Sequence, residues 1–358
     1  MQKKRLVVIG GGAAGFFCAV NASAMAPQLE VILLEKSSKL LSKVKVSGGG
    51  RCNLTHACNS IAEMIKKYPR GGMYLKKAFH LFFTTDTINW FKQRGVDLKT
   101  EADGRMFPVS DNSQTIIDCL LTEASKNNVE IRMNAEVREV ISGQMKDNSK
   151  ALVGNANHFI LTLNNQKIIT TDYLCIASGG YPKSSQFQWI TQLGHTISTP
   201  VPSLFTFNLP KHPITSLMGV VAENVQVKIS GTKLQQQGPL LITHWGFSGP
   251  AILKLSAWGA TVLAEKNYHY QVVVNWLPAF HENSMLEKLK ALRFNLATQK
   301  IINRNPFLLP ARLWEFLLSS AEIPADMRWA ELPAKAQNKL AKILCAYEVE
   351  VNGKTTYK

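Results

Sequence analysis

Apolar and polar positions alternate along this chain with a period that changes from one stretch to the next. Leu6-Val7-Val8-Ile9 is unbroken apolar and mostly β-branched, the pattern of a short strand buried on both faces. A glycine-rich turn follows, and helical spacing runs from Ala13 to about Ala26, where Pro27 ends it. Val31-Ile32-Leu33-Leu34 is a second unbroken run, so the order strand, turn, helix, strand predicts a βαβ unit of a parallel sheet. The stretch from Ser113 to Asn128 carries Ile116, Ile117, Leu120, Leu121 and Ala124 at helical spacing, and Val129 to Met133 returns as a strand. Asn164-Asn165 punctuates a hairpin between a run starting at Phe159 and one starting at Ile168, and Leu174 to Ala177 is a further buried strand that leads into Gly179-Gly180.

Beyond Gly194 the texture changes. Pro200, Pro202, Pro210 and Pro213 precede alternating strands such as Val225-Gln226-Val227-Lys228-Ile229. From Asn283 to Leu344 the spacing is helical, punctuated by Pro306, Pro310, Pro324 and Pro333, and Glu348 to Val351 resumes a strand. A chain of 358 residues exceeds what one hydrophobic core usually supports. The shifts therefore mark three domains: 1–193 with the βαβ unit, a β-rich domain over 194–282 and 345–358, and a small helical insertion over 283–344.

Composition narrows the class without changing that outline. With 46% hydrophobic and 18% charged residues the chain has the balance of a folded soluble protein. The basic start from Met1 to Arg5 is not a signal peptide, because Gly10, Gly11, Gly12 and Gly15 break the apolar run behind it, and no window is long and apolar enough to span a membrane. Six scattered cysteines contain no C-x-x-C pair, which argues against zinc, a redox dithiol or a disulfide framework; no metal is expected, and a reducing cytoplasm suits them. The net charge of +16 raises attraction to a polyanion, but the lysines are spread along the chain. The expectation is a small-molecule substrate, with no specific nucleic-acid partner and no membrane partner.

The candidate chemistry begins at Gly10-Gly11-Gly12-Ala13-Ala14-Gly15, a G-x-G-x-x-G turn placed between a strand and a helix. Gly10 makes the tight turn, Gly12 admits a pyrophosphate and Gly15 lets helix pack on strand, while N–H groups at Ala13 and Ala14 meet the phosphates. Glu35 ends the second strand about twenty residues on, where a carboxylate accepts ribose hydroxyls and repels a 2′-phosphate; FAD or NAD fits better than NADP. Ser47-Gly48-Gly49-Gly50-Arg51-Cys52-Asn53 is a second glycine cluster whose bare backbone suits a flat ligand or phosphate, with Arg51 as a charge.

These two clusters, together with Gly104-Arg105-Met106-Phe107-Pro108-Val109-Ser110, Ala177-Ser178-Gly179-Gly180-Tyr181-Pro182 and Thr243-His244-Trp245-Gly246-Phe247-Ser248-Gly249-Pro250, resemble the BaiN-like (aminoacetone oxidase-like) flavoproteins, in that family's order and over about two thirds of the chain. The resemblance implies an α/β protein with FAD as cofactor: a Rossmann-like parallel-sheet core, a β-rich second domain and a helical insertion. It implies Glu35 and Lys36 at the adenosine ribose, Gly48, Gly49, Gly50, Arg51, Cys52 and Asn53 near the isoalloxazine and pyrophosphate, the Val137 backbone near the adenine, and Gly179 and Gly180 at the cofactor. Where the family carries Gly-Arg-Lys this chain has Leu41-Ser42-Lys43, which leaves Lys43 as the candidate cation. The family's chains also return to the FAD domain with a glycine-rich closing segment that is absent before Lys358, so weak FAD retention, bright flavin fluorescence and self-association are expected.

In flavin enzymes the cofactor carries the hydride chemistry and the protein positions it. Arg105 and His244 are the polar side chains to test as catalytic groups, Arg105 as a carbonyl or carboxylate anchor and His244 as a proton donor. The activity expected is FAD-dependent hydride transfer to or from a small organic molecule, with a flavoprotein acting on RNA as the alternative. Heat-extraction of the bound chromophore and mass spectrometry should give FAD; FMN alone would remove the basis for an adenosine site at Glu35.

Overall fold

Strands buried on both faces have no polar side, and the first strands of this protein show why. The computed structural model describes residues 3–143, 158–181 and 183–356; Met1, Pro182 and Lys358, named above, lie outside them. Strand β1 (Arg5–Ile9) is joined through the glycine turn to helix α1 (Ala13–Met25), which leads to β2 (Glu30–Leu34). Helix α2 (Gln114–Lys126), β3 (Glu130–Arg132) and β4 (Tyr173–Ile176) complete the layer, and the strands lie parallel in the order β4-β1-β2-β3. Successive side chains of a strand point to opposite faces. Leu6, Val8, Val31 and Leu33 accordingly pack with Phe16, Ala19 and Val20 of α1 and Ile116 and Leu120 of α2. Val7, Ile9, Ile32 and Leu34 pack on the other face with Val140, Leu161 and Ile169, which come from an antiparallel three-stranded sheet of Val137–Ser142, Phe159–Leu163 and Ile168–Thr171.

The register sets one edge of the parallel sheet. Ile9 lies opposite both Leu34 and Ile176, so the chain leaves β1, β2 and β4 at one level, at Gly10, Glu35 and Ala177. Because β2 and β4 lie on opposite sides of β1, this edge is also the topological switch point where α/β sheets open a crevice.

The chain divides into two compact units, 1–200 and 201–358, so the first boundary lies at Pro200/Val201 rather than 193/194. In the second unit seven strands pair antiparallel in the order Tyr347–Asn352, His269–Asn275, Val221–Ile229, Gln235–Thr243, Gly246–Ser248, Thr206–Asn208 and Lys354–Thr355. The two edge strands are consecutive in the chain. Gly353 joins them at φ +106°, donating its N–H to the Tyr268 carbonyl at 2.8 Å and accepting from the Asn208 N–H at 3.1 Å, and the sheet thereby closes on itself. The helices Glu282–Asn295, Ala311–Ser320 and Ala334–Cys345 are not a separate domain, as the 283–344 reading expected. Their apolar faces, including Met285, Leu289, Trp314, Leu317, Leu340 and Leu344, share one core with Val272, Val274 and Val349 of the strands.

Helix α1 crosses the turn after β1 closely: a Cβ at Gly15 would sit 1.8 Å from the Gly10 carbonyl oxygen. A backbone atom cannot swing away as a flexible side chain can. Gly15→Ala should therefore destabilise the protein by about 3 kcal/mol, the upper part of the usual overpacking range, in urea unfolding of the apo chain. A loss below about 0.5 kcal/mol, the level of an ordinary surface substitution, would show that α1 is free to shift.

Candidate functional site

The site is built where β1, β2 and β4 end. Gly10 adopts φ +114°, and a Cβ there would meet the Ala177 carbonyl oxygen at 2.4 Å, so only glycine lets the turns after β1 and β4 pass each other. Gly12 is the N-cap of α1; it offers no side-chain cap, and a Cβ built on it meets nothing within 4 Å. The first N–H groups of α1, those of Ala13 and Ala14 among them, thus face open space without intrahelical partners, at the positive end of a 13-residue helix. This is an anion site of the kind that binds a pyrophosphate.

Glu35 stands beside it. Its carboxylate accepts from the Gly11 N–H at 2.9 Å on one oxygen, and from the Ser37 N–H at 2.9 Å and Ser37 hydroxyl at 2.8 Å on the other. A carboxylate offers about four acceptor positions, so the three donors fix its orientation and leave capacity for a ribose hydroxyl. The main cleft, about 750 Å³, is lined by Gly10, Gly12, Ala13, Ala14, Glu35, Lys36, Lys43, Cys52, Asn53, Gly179 and Gly180 among others. A second cavity of about 430 Å³ adjoins it through Gly10, Glu35, Lys36 and Ser178 and is lined by Val137 and Trp189. Lys36 lies 5.5 Å from the Tyr181 ring centre, and Lys43 brings its Nζ to 3.6 Å from where a Gly179 Cβ would be. The expected adenosine, phosphate and cation residues are therefore together in one crevice.

The second glycine cluster is split. Ser47, Cys52 and Asn53 line the cleft, whereas Gly48, Gly49, Gly50 and Arg51 lie off its lining. The three glycines take φ of +57°, +70° and +85°, and a Cβ at Gly48 would meet the Asn53 nitrogen at 2.7 Å and the Phe107 ring at 2.8 Å. They shape the turn that presents Cys52 and Asn53. The Arg51 guanidinium bonds Glu101 at 2.5 Å and covers the Phe107 ring at 4.1 Å; the Glu101 hydrogen bond raises its pKa further above an already high value. Burial pushes the Cys52 thiol up, opposed in part by Ser47, so its Sγ holds a proton at neutral pH.

Of the two candidate catalytic residues, Arg105 is exposed, donating to Asp103 at 2.7 Å and Glu101 at 3.2 Å, off the cleft's lining. His244 belongs to the second unit, exposed in the turn between two strands with its ring 4.3 Å from that of Trp245. What the sequence did not point to is an apolar wall: Phe17 of α1, Phe82, Phe91, and Ile116 and Leu120 of α2. Phe91 is carried on the helix Thr84–Lys92, which is held to α1 by Trp90 Nε1 donating to Asn21 at 2.8 Å and to α2 by Arg94 just beyond it, paired with Glu123 at 2.8 Å. Phe17 follows Ala13 and Ala14 by one helical turn, and that spacing was the one available signal.

The profile described as the HI0933-like protein Rossmann domain matches residues 4–266, and that of the HI0933-like protein barrel and H2TH domain matches residues 201–358. The ribosomal RNA dihydrouridine synthase of Escherichia coli strain K12 is 30% identical over 370 residues, covering 100% of this chain and 84% of that protein. The 3-dehydro-bile acid delta(4,6)-reductase of Clostridium scindens is 26% identical over 282 residues, 76% of this chain and 64% of its own length. The ribosomal RNA dihydrouridine synthase of Haemophilus influenzae is 25% identical over 318 residues, 84% and 73% respectively.

Glu35→Gln keeps the shape of the side chain but replaces one acceptor oxygen with a donor, which leaves the Gly11 or the Ser37 N–H facing another donor and removes the charge that a ribose hydroxyl would meet. It should weaken FAD binding by about 1–3 kcal/mol, the cost of losing a charged hydrogen-bond partner, read by flavin fluorescence titration. An unchanged dissociation constant would separate Glu35 from the ribose.

Proposed function

The chain belongs to the HI0933-like family and is an FAD-dependent oxidoreductase, and we propose that it reduces a carbon–carbon double bond conjugated to a carbonyl, that of the uracil ring in RNA. One observation carries the reaction class. Two relatives named for unrelated substrates, one making dihydrouridine in ribosomal RNA and one a bile-acid reductase, are named for products or bonds of this single reaction. The Escherichia coli RNA relative is matched along the whole chain, and the charge of +16, which by itself gave no reason to expect a nucleic-acid partner, suits a polyanion once that match is considered.

Bound FAD supplies the hydride chemistry. The chain's own residues supply the rest. The N–H groups at Ala13 and Ala14 hold the pyrophosphate, Glu35 orients a ribose, and Lys43 beside Gly179 adds positive charge where a phosphate or developing anion needs it. The wall of Phe17, Phe82, Phe91, Ile116 and Leu120 keeps water from part of the cleft, which strengthens each of those electrostatic contacts. Lys43 Nζ and the protonated Cys52 Sγ are cleft-lining groups able to give the proton that completes the reduction. The same apolar wall favours a second reading, a lipophilic unsaturated ketone as substrate.

The test is a single-turnover reaction of anaerobically reduced holoenzyme with a uridine-containing oligoribonucleotide and, separately, with an unsaturated steroid ketone. Flavin reoxidation with a gain of two hydrogens by the RNA is the expected result. Reoxidation by the ketone alone would replace RNA by the lipophilic substrate, and reoxidation by neither would remove double-bond reduction itself.

A further inference from the structure

We infer that residues 61–82 form a docking surface for a single-stranded stretch of RNA and lead it to the cleft at Phe82, an inference that rests on the RNA reading above. This segment comprises the short helices Ile61–Ile65 and Gly72–Phe79 with the chain that joins and follows them. It carries Lys66, Lys67, Arg70, Lys76 and Lys77, and the sequence has no carboxylate between Glu63 and Asp86. Lys66 is paired with Glu63 at 2.6 Å, whereas no carboxylate among the described residues pairs with Lys67, Lys76 or Lys77. The basic residues, dispersed over the chain as a whole, are here concentrated.

Large apolar side chains lie exposed among them: Met73 is 72% accessible, Tyr74 87% and Leu81 88%, with Tyr68 and Phe82 also exposed. Scattered exposed apolar residues are ordinary, but a contiguous group marks an interaction surface. Charge and ring together define the partner. A groove or face that binds single-stranded nucleic acid sets lysines on the phosphates and flat side chains under the bases. A helix lying in a membrane instead segregates basic and apolar residues to opposite faces. Here they share a face, since Met73 is one helical turn from Lys76 and Lys77, and Tyr74 one turn from Lys77.

The surface also ends in the right place. Phe82 follows Leu81 directly, packs edge-on against Phe17 with ring centres 5.4 Å apart, and lines the cleft with it. A base must leave its stack before an enzyme can act on its ring, and a single strand pays least for that. Tyr68 and Tyr74 can hold neighbouring bases while the next enters beside Phe82.

The measurement is fluorescence anisotropy of a labelled oligouridylate with the FAD-loaded chain across a salt series. The Lys76→Gln/Lys77→Gln double variant should reduce the slope of log affinity against log salt by about 1.4, the single-strand value for two lost phosphate contacts. Tyr74→Ala should weaken binding roughly 5- to 100-fold at fixed salt, as loss of one stacked base does. Lys288→Gln/Lys290→Gln, an equal charge change in the second unit, should leave both quantities near those of the wild type. Equal losses in that control, or wild-type binding by both surface variants, would overturn the docking surface. So would retained RNA binding combined with lost sedimentation on phosphatidylserine vesicles, which would assign the surface to a membrane. If the wild type reduces uridine in RNA while the surface variants bind and reduce it equally well, the docking surface fails and the RNA reading stands; if the wild type neither binds nor reduces RNA, both fall.

Discussion

The approach of α1 to the turn after β1 is the constraint on which the site depends. With a glycine Cα in place of a side chain, Gly15 comes close enough to the Gly10 carbonyl that a single added carbon would overlap it. That contact sets the height of the helix over the sheet, and hence where its N–H groups point. Raising α1 by the width of a methyl group would move Ala13 and Ala14 away from the level at which Glu35 and Gly179 stand. The phosphate and ribose sites would then no longer share one ligand. A packing contact therefore decides the electrostatics, because a helix terminus acts on an anion only within its first turn.

Glu35 links this helix terminus to the second strand. One carboxylate oxygen is held by the Gly11 N–H in the turn after β1 and the other by Ser37 just beyond β2, so the carboxylate bridges the ends of two strands whose backbones pair below it. Its own N–H donates to the Arg132 carbonyl at 2.9 Å and its carbonyl accepts from the Ala135 N–H at 2.9 Å. The bonds to the carboxylate are charge-assisted and stronger than these neutral ones, and together they hold still a group whose second task is to meet a ligand.

The first βαβ unit was legible because each of its signals is local. Unbroken apolar runs, glycines at fixed offsets and a carboxylate at a strand end lie within Leu6 to Glu35, and the observed elements begin and end within a residue or two of the expected positions. In the second unit the strands at 225–229 and 348–351 were legible for the same reason, but the unit's unity was not: nothing local in Leu313, Trp314 or Leu340 says that their faces share a core with strands near Val272 and Val349. Arg51 shows the converse limit. An arginine beside three glycines suggests an anion, yet Glu101 and Asp111, distant in sequence, occupy its guanidinium. The apolar wall was hidden because Phe17, Phe82, Phe91, Ile116 and Leu120 come from three separate stretches, each of which looks like an ordinary buried face when read alone.

That difference in legibility has a physical origin that bears on how substrates differ among related chains. The dinucleotide side of the cleft is made largely of backbone, from Gly10 to Ala14, at Gly179 and Gly180, and at the end of β2. A substitution there alters φ or closes a contact below van der Waals distance, so it acts on the fold as well as on the ligand. Most of the wall consists of side chains on helices that Trp90, Arg94 and their partners hold together, and the basic face beyond it is side chains exposed on the Gly72–Phe79 helix. Exchanging one apolar residue for another of similar volume there costs little stability, and exposed lysines on the Gly72–Phe79 helix cost less still. A chain that keeps the first part can thus tolerate change in the second.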